Sequence, residues 1–352
     1  MARDSNPGQW YESNLLCPVD RSRLSYHKNY LVSENGTRYP IIEGVPVLLL
    51  PDVEQTIELA HASLARSKGD AGSIDFRSKE LHLESLGISE IEKEELASRS
   101  AFPNQGVDPV VSFLVGATSG ILYKDQIGKL NTYPIPNLRI EAPPASDKKL
   151  LDLGCSWGRW SIAAVRKGFS VVGIDPSLGA VLAAKRVVGQ MGLNVRLICG
   201  DARFLPLQND SFDWVFSYSV LQHFSKGNTR KCLGQVNRVL KPGGKSLIQM
   251  PNGFGIRCLQ HQITRGFRQA KNFEVRYWRP AELLREFGNC IGESELSADC
   301  FFGLGIQTTD KHLMSRSKKH IIDASEWLRS LSEKQPWLKF MADSVYIRSA
   351  KT

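Results

Sequence analysis

The chain has 352 residues, 42% of them hydrophobic and 23% charged, the balance of a soluble globular protein of about two domains with a core that needs no disulfide staples. Its longest apolar run, 109–123, is broken by Ser112, Gly116, Thr118, Ser119 and Gly120, short of the roughly 20 residues that span a bilayer. The first eight residues lack the apolar stretch of a signal peptide, so a cytoplasmic location is expected. Seven scattered cysteines form no CxxC pair and read as buried free thiols, and the net charge of +9 permits an anionic partner without requiring one.

In chain order, residues 1–52 are rich in turns and short strands. They end in YPIIEGVPVLLL at 39–50, an edge strand or hairpin arm punctuated by Pro and Gly. Residues 53–145 read as helical. Val53, Ile57, Ala60 and Leu64 recur at helical spacing, and Ile88, Ile91 and Leu96 continue it. Asp108-Pro109 is a helix start, with Asp as N-cap and Pro at the first helical position. Pro134, Pro136, Pro143 and Pro144 mark a linker.

From about 147 strands and helices alternate. Strands are expected at 149–153, 169–174, 195–199, 212–217 and 245–250, with helices at 160–167, 178–191 and 229–240 between them. KPGG at 241–244 stops the last of these helices. A helix from Pro280, a strand at 293–302, a basic helical stretch and a final strand at 343–349 complete the chain. Such alternation implies a parallel sheet covered on both faces.

The strongest chemical signal is the strand–turn–helix around DLGCSWG at 152–158. Glycines at such a turn let the backbone approach a ligand while the next helix presents free N–H groups. The dinucleotide pattern G-x-G-x-x-G is absent, because Ser156 holds the second glycine's place. Asp175 follows about 20 residues later at the end of the second strand, where a carboxylate can accept both ribose hydroxyls of an adenosine. Asp201 closes the third strand, placed either to accept from an adenine amino group or to cap the next helix. Two carboxylates at adjacent strand ends after this turn argue for an adenosine-bearing ligand more strongly than either alone.

Together these motifs resemble the core of class I methyltransferases over 148–252, particularly the broad type 11 group that includes quinone-biosynthesis C-methyltransferases. The matches are LLDLGCSWG at 150–158, VVGID at 171–175, GDA at 200–202, SFD at 211–213 with 216–223, and LKPGG at 240–244. The resemblance implies S-adenosylmethionine as cofactor. It implies cofactor contacts from Asp152, Gly154, Cys155, Ser156, Trp157, Gly158, Asp175, Pro176, Asp201, Ala202, Ser217 and Tyr218. Ser156 and Trp157 stand where the family pattern departs, and there they could narrow the methionine pocket. His223, after the fourth strand, is the candidate general base, with a packing or helix-terminus histidine as the alternative.

The first fifty residues resemble a short zinc-ribbon-like module related to the activator subunit of tRNA and protein methyltransferases, through LCP at 16–18 and YPIIEGVP at 39–46. Zinc ribbons use two pairs of thiolates. Here Cys17 has no partner: Asp20 stands where the paired cysteine belongs, and Ser33 and Asn35 occupy the region of the second pair. No structural zinc is expected, and the module is read as a docking or substrate-covering element. After the fifth strand, Arg257, Arg265, Arg268, Lys271, Arg276 and Arg279 interleave with Phe267, Phe273, Tyr277 and Trp278. That mixture suits a phosphate, carboxylate, flat ring or RNA, or a solvated helix face. A second basic stretch at 311–320 reads as surface.

The expected architecture is a Rossmann-like, doubly wound α/β sheet of seven strands, preceded by a small β module (1–52) and a helical lid segment (53–145). The domain at 146–352 carries an insertion at about 303–341. The expected function is methylation of a small organic acceptor at oxygen, carbon or nitrogen. The rivals are an RNA-modifying methyltransferase, a non-catalytic cofactor-binding protein, and a nicotinamide oxidoreductase, the last disfavoured by the missing glycine pattern.

Overall fold

The computed structural model describes residues 7–68, 106–108, 110–111, 114–115, 123, 126, 130–143 and 147–352. The expected helical positions Ile88, Ile91 and Leu96, and Pro109 and Pro144, lie outside the described residues.

The first element, α1 (Pro7–Asn14), leads into four short strands, β1 (Leu24–His27), β2 (Tyr30–Ser33), β3 (Arg38–Ile42) and β4 (Val45–Leu48), and then α2 (Glu58–Ser67). The alternating unit follows as β5 (Lys149–Leu153), α3 (Arg159–Arg166), β6 (Ser170–Asp175), α4 (Leu178–Gln190), β7 (Val195–Gly200) and β8 (Phe212–Ser217). Next come α5 (Lys226–Val239), β9 (Leu240–Pro251), α6 (Ile256–Thr264), α7 (Pro280–Cys290), β10 (Ser294–Cys300), α8 (Arg316–Lys334) and β11 (Ser344–Ala350).

All eleven strands join one sheet, in the order β1-β2-β3-β4-β7-β6-β5-β8-β9-β11-β10. Strands β5 to β9 run parallel, and their sequences are nearly continuous apolar runs because helices cover both faces. The last strand, β11, enters antiparallel between β9 and β10. The sequence predicts a sheet of seven strands with a separate small β module before it; instead β1 to β4 join the strands from β5 onward in one sheet of eleven. Between β10 and β11 lie α8 and two short 3-10 turns, at Thr308–Leu313 and Pro336–Met341, within the expected insertion.

Local chemistry explains most boundaries. Ser177 caps α4 by accepting from the Ala180 N–H at 3.3 Å, and Ser225 caps α5 by accepting from Asn228 at 3.2 Å. Helix α7 starts at Pro280, where the missing N–H costs nothing. Asp108 Oδ1 accepts from the Val110 N–H at 3.0 Å, the capping contact expected there. The KPGG segment behaves differently from expectation. Instead of separating helix from strand it lies within β9, as an irregularity between the pairs Phe212↔Leu240 and Trp214↔Lys245. Gly243 takes a positive φ of 72° that makes this excursion accessible.

The N-terminal strands are not a free-standing unit. Strand β4 pairs in parallel with β7 (Val47↔Cys199, Leu48↔Gly200), and Leu15 bridges Leu207. Leu15, Leu24, Leu31 and Tyr39 are buried in the same core as Leu205, Leu207, Phe212 and Leu233. Where a zinc ribbon would place its thiolates, hydrogen bonds tie the strands. The Cys17 thiol lies 3.2 Å from Tyr39 Oη, Asp20 accepts from Ser22 and Asn35, and Ser33 donates to Asn35. No group of three metal-ligating side chains occurs among the described residues. No described helix is long and apolar enough to cross a membrane.

Because Leu15 is fully buried against residues of the central unit, Leu15→Ala is expected to cost about 2–5 kcal/mol. Urea unfolding should still show one transition for the N-terminal and central regions. A separate, earlier transition would show that the first fifty residues melt on their own.

Candidate functional site

The carboxyl ends of β5, β6, β7 and β8 converge on the turn at 154–158. Its shape is set by three left-handed residues: Gly154 (φ 79°), Ser156 (φ 47°) and Gly158 (φ 84°). The Gly154 and Cys155 N–H groups both donate to the Ile174 carbonyl, at 2.8 and 3.0 Å, clamping the turn onto β6. A side chain at 154 would bring its Cβ within 2.2 Å of Val220, so only glycine fits. Ser156 keeps the left-handed backbone of the glycine it replaces, at the strain cost that L residues bear there.

Asp175 completes this turn. Its Oδ2 accepts from the Ser156 N–H at 3.0 Å and its Oδ1 from the Ser177 N–H at 2.9 Å. Each carboxylate oxygen can accept more than one hydrogen bond, so these contacts leave acceptor capacity on both oxygens. Burial raises its pKa to about 6, against the pull of the two amides. Asp152, one strand over, is buried and accepts from Ser161 Oγ at 2.6 Å. Burial lifts it to about 7, and the neighbouring Asp175 charge adds to the rise. Pro176 follows at the rim, and its carbonyl accepts from the Cys199 thiol.

Other expected contacts point elsewhere. The Trp157 indole does not narrow the turn. It is buried among Val107, Val110, Leu114, Ile162 and Ala183, with the Tyr133 ring 5.9 Å away, and pins the preceding segment to α3 and α4. The Cys155 thiol packs into the cleft left by Gly173, and its pKa is raised by burial. Both oxygens of Asp201 are held by Arg203, through Nε at 3.0 and 3.1 Å and Nη2 at 2.6 Å. Arg203 in turn donates to the Glu54 carbonyl at 2.6 Å, so this pair fastens the segment after β4 over β7. The Ser217 hydroxyl is bonded to the Leu153 carbonyl at 2.8 Å.

His223 ends a short 3-10 turn after β8 (Leu221–His223), and its bonding is that of an anchor. Nδ1–H donates to the Phe273 carbonyl at 2.6 Å, Nε2 accepts from Gln222 at 3.1 Å, and the ring stacks on Phe273 at 3.7 Å. Burial lowers its pKa to about 4, keeping the ring neutral. Both nitrogens are engaged, so the base role expected of His223 has no free atom behind it.

Long-range pairs unmarked in the sequence complete the site. Tyr218 Oη donates to Asp299 Oδ2 at 2.7 Å and receives Gln307 at 2.9 Å, and Ser344 donates to the same oxygen at 2.7 Å. Trp160, Phe216 and Tyr346 surround the Tyr218 ring, with Trp160 4.7 Å away. Arg159, at the start of α3, pairs with buried Asp310, which also accepts from Tyr123 at 2.6 Å. Asp299 Oδ1, Tyr346 Oη and Gln222 Oε1 are buried without a hydrogen-bond partner among the described residues. Only the buried register of β10 hinted at Asp299, and nothing local could name its partners.

On this geometry the comparisons with known proteins bear directly. A family model described as a methyltransferase domain matches residues 150–244, from β5 to the excursion in β9. This segment is a methyltransferase domain. Demethylmenaquinone methyltransferase of Geobacillus stearothermophilus is 35% identical over 153 residues, covering 40% of this chain and 64% of that protein. The Staphylococcus aureus (strain MRSA252) protein of the same name is 39% identical over 99 residues, covering 27% and 40%. The chain thus spans less than two thirds of these relatives' length. Among solved structures, Bacillus subtilis YcgJ aligns at 20% identity and TM-score 0.41, covering 60% of this chain and 94% of that one.

Two outcomes test the methyltransferase domain's turn. Because Asp152 is raised in the folded state, the native protein binds more protons than the unfolded chain between about pH 4 and 7, so its contribution to stability falls as pH rises through that window. Asp152→Asn, which keeps an acceptor for Ser161, should therefore match the wild type near pH 4 and exceed it at pH 8 in urea unfolding. Gly154→Ala adds a clash with Val220 to a left-handed backbone, and should lose at least about 1–2 kcal/mol by the same measurement.

Proposed function

We propose that this chain transfers the methyl group of S-adenosylmethionine to a small organic acceptor, releasing S-adenosylhomocysteine. The observation that carries the reading is the clamped turn at 154–158 facing Asp175, whose carboxylate is preset by the Ser156 and Ser177 amides to receive a ribose diol. The glycine-lined turn would take the methionine end of the cofactor, and the backbone at 200–202 the adenine. The bound cofactor supplies an electrophilic methyl carbon. The protein's part is to align a nucleophile with it, and positioning of this kind can lower a barrier by about 7–11 kcal/mol.

The acceptor side is read from the end of β8. The rings of Trp160, Phe216, Tyr218 and Tyr346 pack against one another there, and Tyr346 Oη and Gln222 Oε1 are buried polar atoms without a hydrogen-bond partner among the described residues. This chemistry suits a ring-bearing acceptor. The names of the sequence relatives make demethylmenaquinone the first one to test. No base is assigned to His223.

Calorimetric titration with S-adenosylhomocysteine should show binding, and NAD should show none. Removing the ribose carboxylate with Asp175→Ala gives up hydrogen bonds to a charged group worth about 1.5–3 kcal/mol, so affinity should fall about 10- to 150-fold. Stabilisation by NAD without stabilisation by S-adenosylhomocysteine would overturn the reading. Incubation with labelled S-adenosylmethionine and cell extract, followed by mass identification of the labelled product, then names the acceptor.

A further inference from the structure

Thirteen large apolar side chains stand exposed among the described residues, and eight of them fall in two short stretches. Phe254, Ile256, Leu259, Ile263 and Phe267 lie on and beside α6, and Trp337, Phe340 and Met341 lie in the turn before β11. The two stretches adjoin. Asn252 Nδ2 donates to the carbonyls of Phe340 and Ala342, both at 2.8 Å, and the Cys258 N–H donates to Asp343 Oδ1 at 2.8 Å. Helix α6 is held through Cys258, which is buried, and Gln262, which donates to Gly253 and Cys258. Ile256, Leu259 and Ile263, at i, i+3 and i+7, form one outward stripe.

Beside this stripe a cavity of about 630 Å³ opens at the end of β9, floored by Tyr277 and Trp278 and edged by Phe254, Leu259 and Phe267. Its far wall carries Lys226, Arg279 and Arg285. Residues 254–285 hold seven Lys or Arg against two Glu. Both acids are already paired: Glu274 with Arg268 at 2.5 Å, and Glu282 with Lys226. Arg257, Lys271, Arg279 and Arg285 are exposed around the patch.

We propose that α6 and the adjoining turn at 336–341 form a docking surface for an anionic lipid bilayer. An aliphatic stripe flanked by cations is the pattern of a helix that lies in the interface plane, with its apolar side chains among the acyl chains and its cations at the headgroups. Contiguous apolar exposure of this kind marks a contact surface, and its charge selects the partner. Two copies of so cationic a face repel each other, which disfavours self-association. The strap at 272–278 separates this surface from the end of β8, with the Arg276 N–H bonded to the Gln222 carbonyl at 2.8 Å. A docked chain would therefore hold the cavity against the lipid, within one strap's thickness of the proposed methyl-transfer site. The docking itself does not depend on that reading.

The test is cosedimentation of the full chain with phosphatidylcholine vesicles, with and without roughly one third phosphatidylglycerol. Binding is expected on the anionic vesicles, weakening as salt rises, and little on the neutral ones. Ile263→Glu with Phe267→Glu, and separately Arg257→Glu with Lys271→Glu, should each lower the vesicle-bound fraction by about tenfold or more. Thermal midpoint and S-adenosylhomocysteine affinity should be unchanged in both. No binding to anionic vesicles, or equal binding by the variants, overturns the proposal. So does binding to RNA that these substitutions abolish without any vesicle binding, or a wild-type dimer that Ile263→Glu turns into monomer. Cofactor affinity is measured separately, so failure here and failure of the methyl-transfer reading are distinguishable.

Discussion

Two amide hydrogen bonds onto the single carbonyl of Ile174 hold the rest of this site in place. They force the chain leaving β5 to fold back over β6, and the left-handed backbone at Gly154, Ser156 and Gly158 is the geometry that allows it. From this follow the direction of α3, the seating of Trp157 in the core beneath the preceding segment, and the Ser156 N–H aimed at Asp175. The serine at 156 shows that the position needs a backbone conformation and an amide aimed at Asp175 more than it needs a glycine. Its strain is small beside the contacts that over-determine the turn.

Buried charge is the second organising feature. Asp152, Asp201, Asp299 and Asp310 are each 3% exposed or less, and all lie toward the carboxyl end of the sheet, where a buried acid must find partners or give up its charge. They divide by partner. Asp201 and Asp310 meet guanidinium groups, Asp299 meets hydroxyls with Arg139 beyond, and Asp152 meets one serine and drifts toward the neutral acid. Buried ion pairs of this kind add little net stability, since desolvation offsets attraction, but breaking one is costly. They therefore fix where loops sit. Arg203 holds the chain after β4 against β7, and Arg159 with Asp310 and Tyr123 holds the insertion between β10 and β11 against α3.

The N-terminal region is bound to the site by the same logic. Strand β4 extends the sheet beside β7, and Ser63 of α2 accepts from the Leu178 N–H at 2.9 Å, at the first turn of α4 and next to Asp175. The N-terminal strands and α2 are thus packed onto β7 and the first turn of α4. Beyond the end of β8 lie α6 and the strap at 272–278.

The sequence by itself determined the alternating unit from β5 onward, the turn, and Asp175, because periodicity, glycines at a strand end and a following carboxylate are local signals. Strand β8 and the start of α7 fall where the pattern places them for that reason. What Asp201, His223 and Trp157 do was decided only by tertiary structure. Each sits where its motif places it, yet Arg203, Phe273 and the core around Tyr133 claim its side chain, and those partners are fixed by packing over distances no local pattern encodes. The pairing of β4 with β7 and the meeting of Tyr218 with Asp299 are of the same kind. Hydrogen bonding between strands carries no sequence code beyond burial and register, so only the folded chain could select those neighbours.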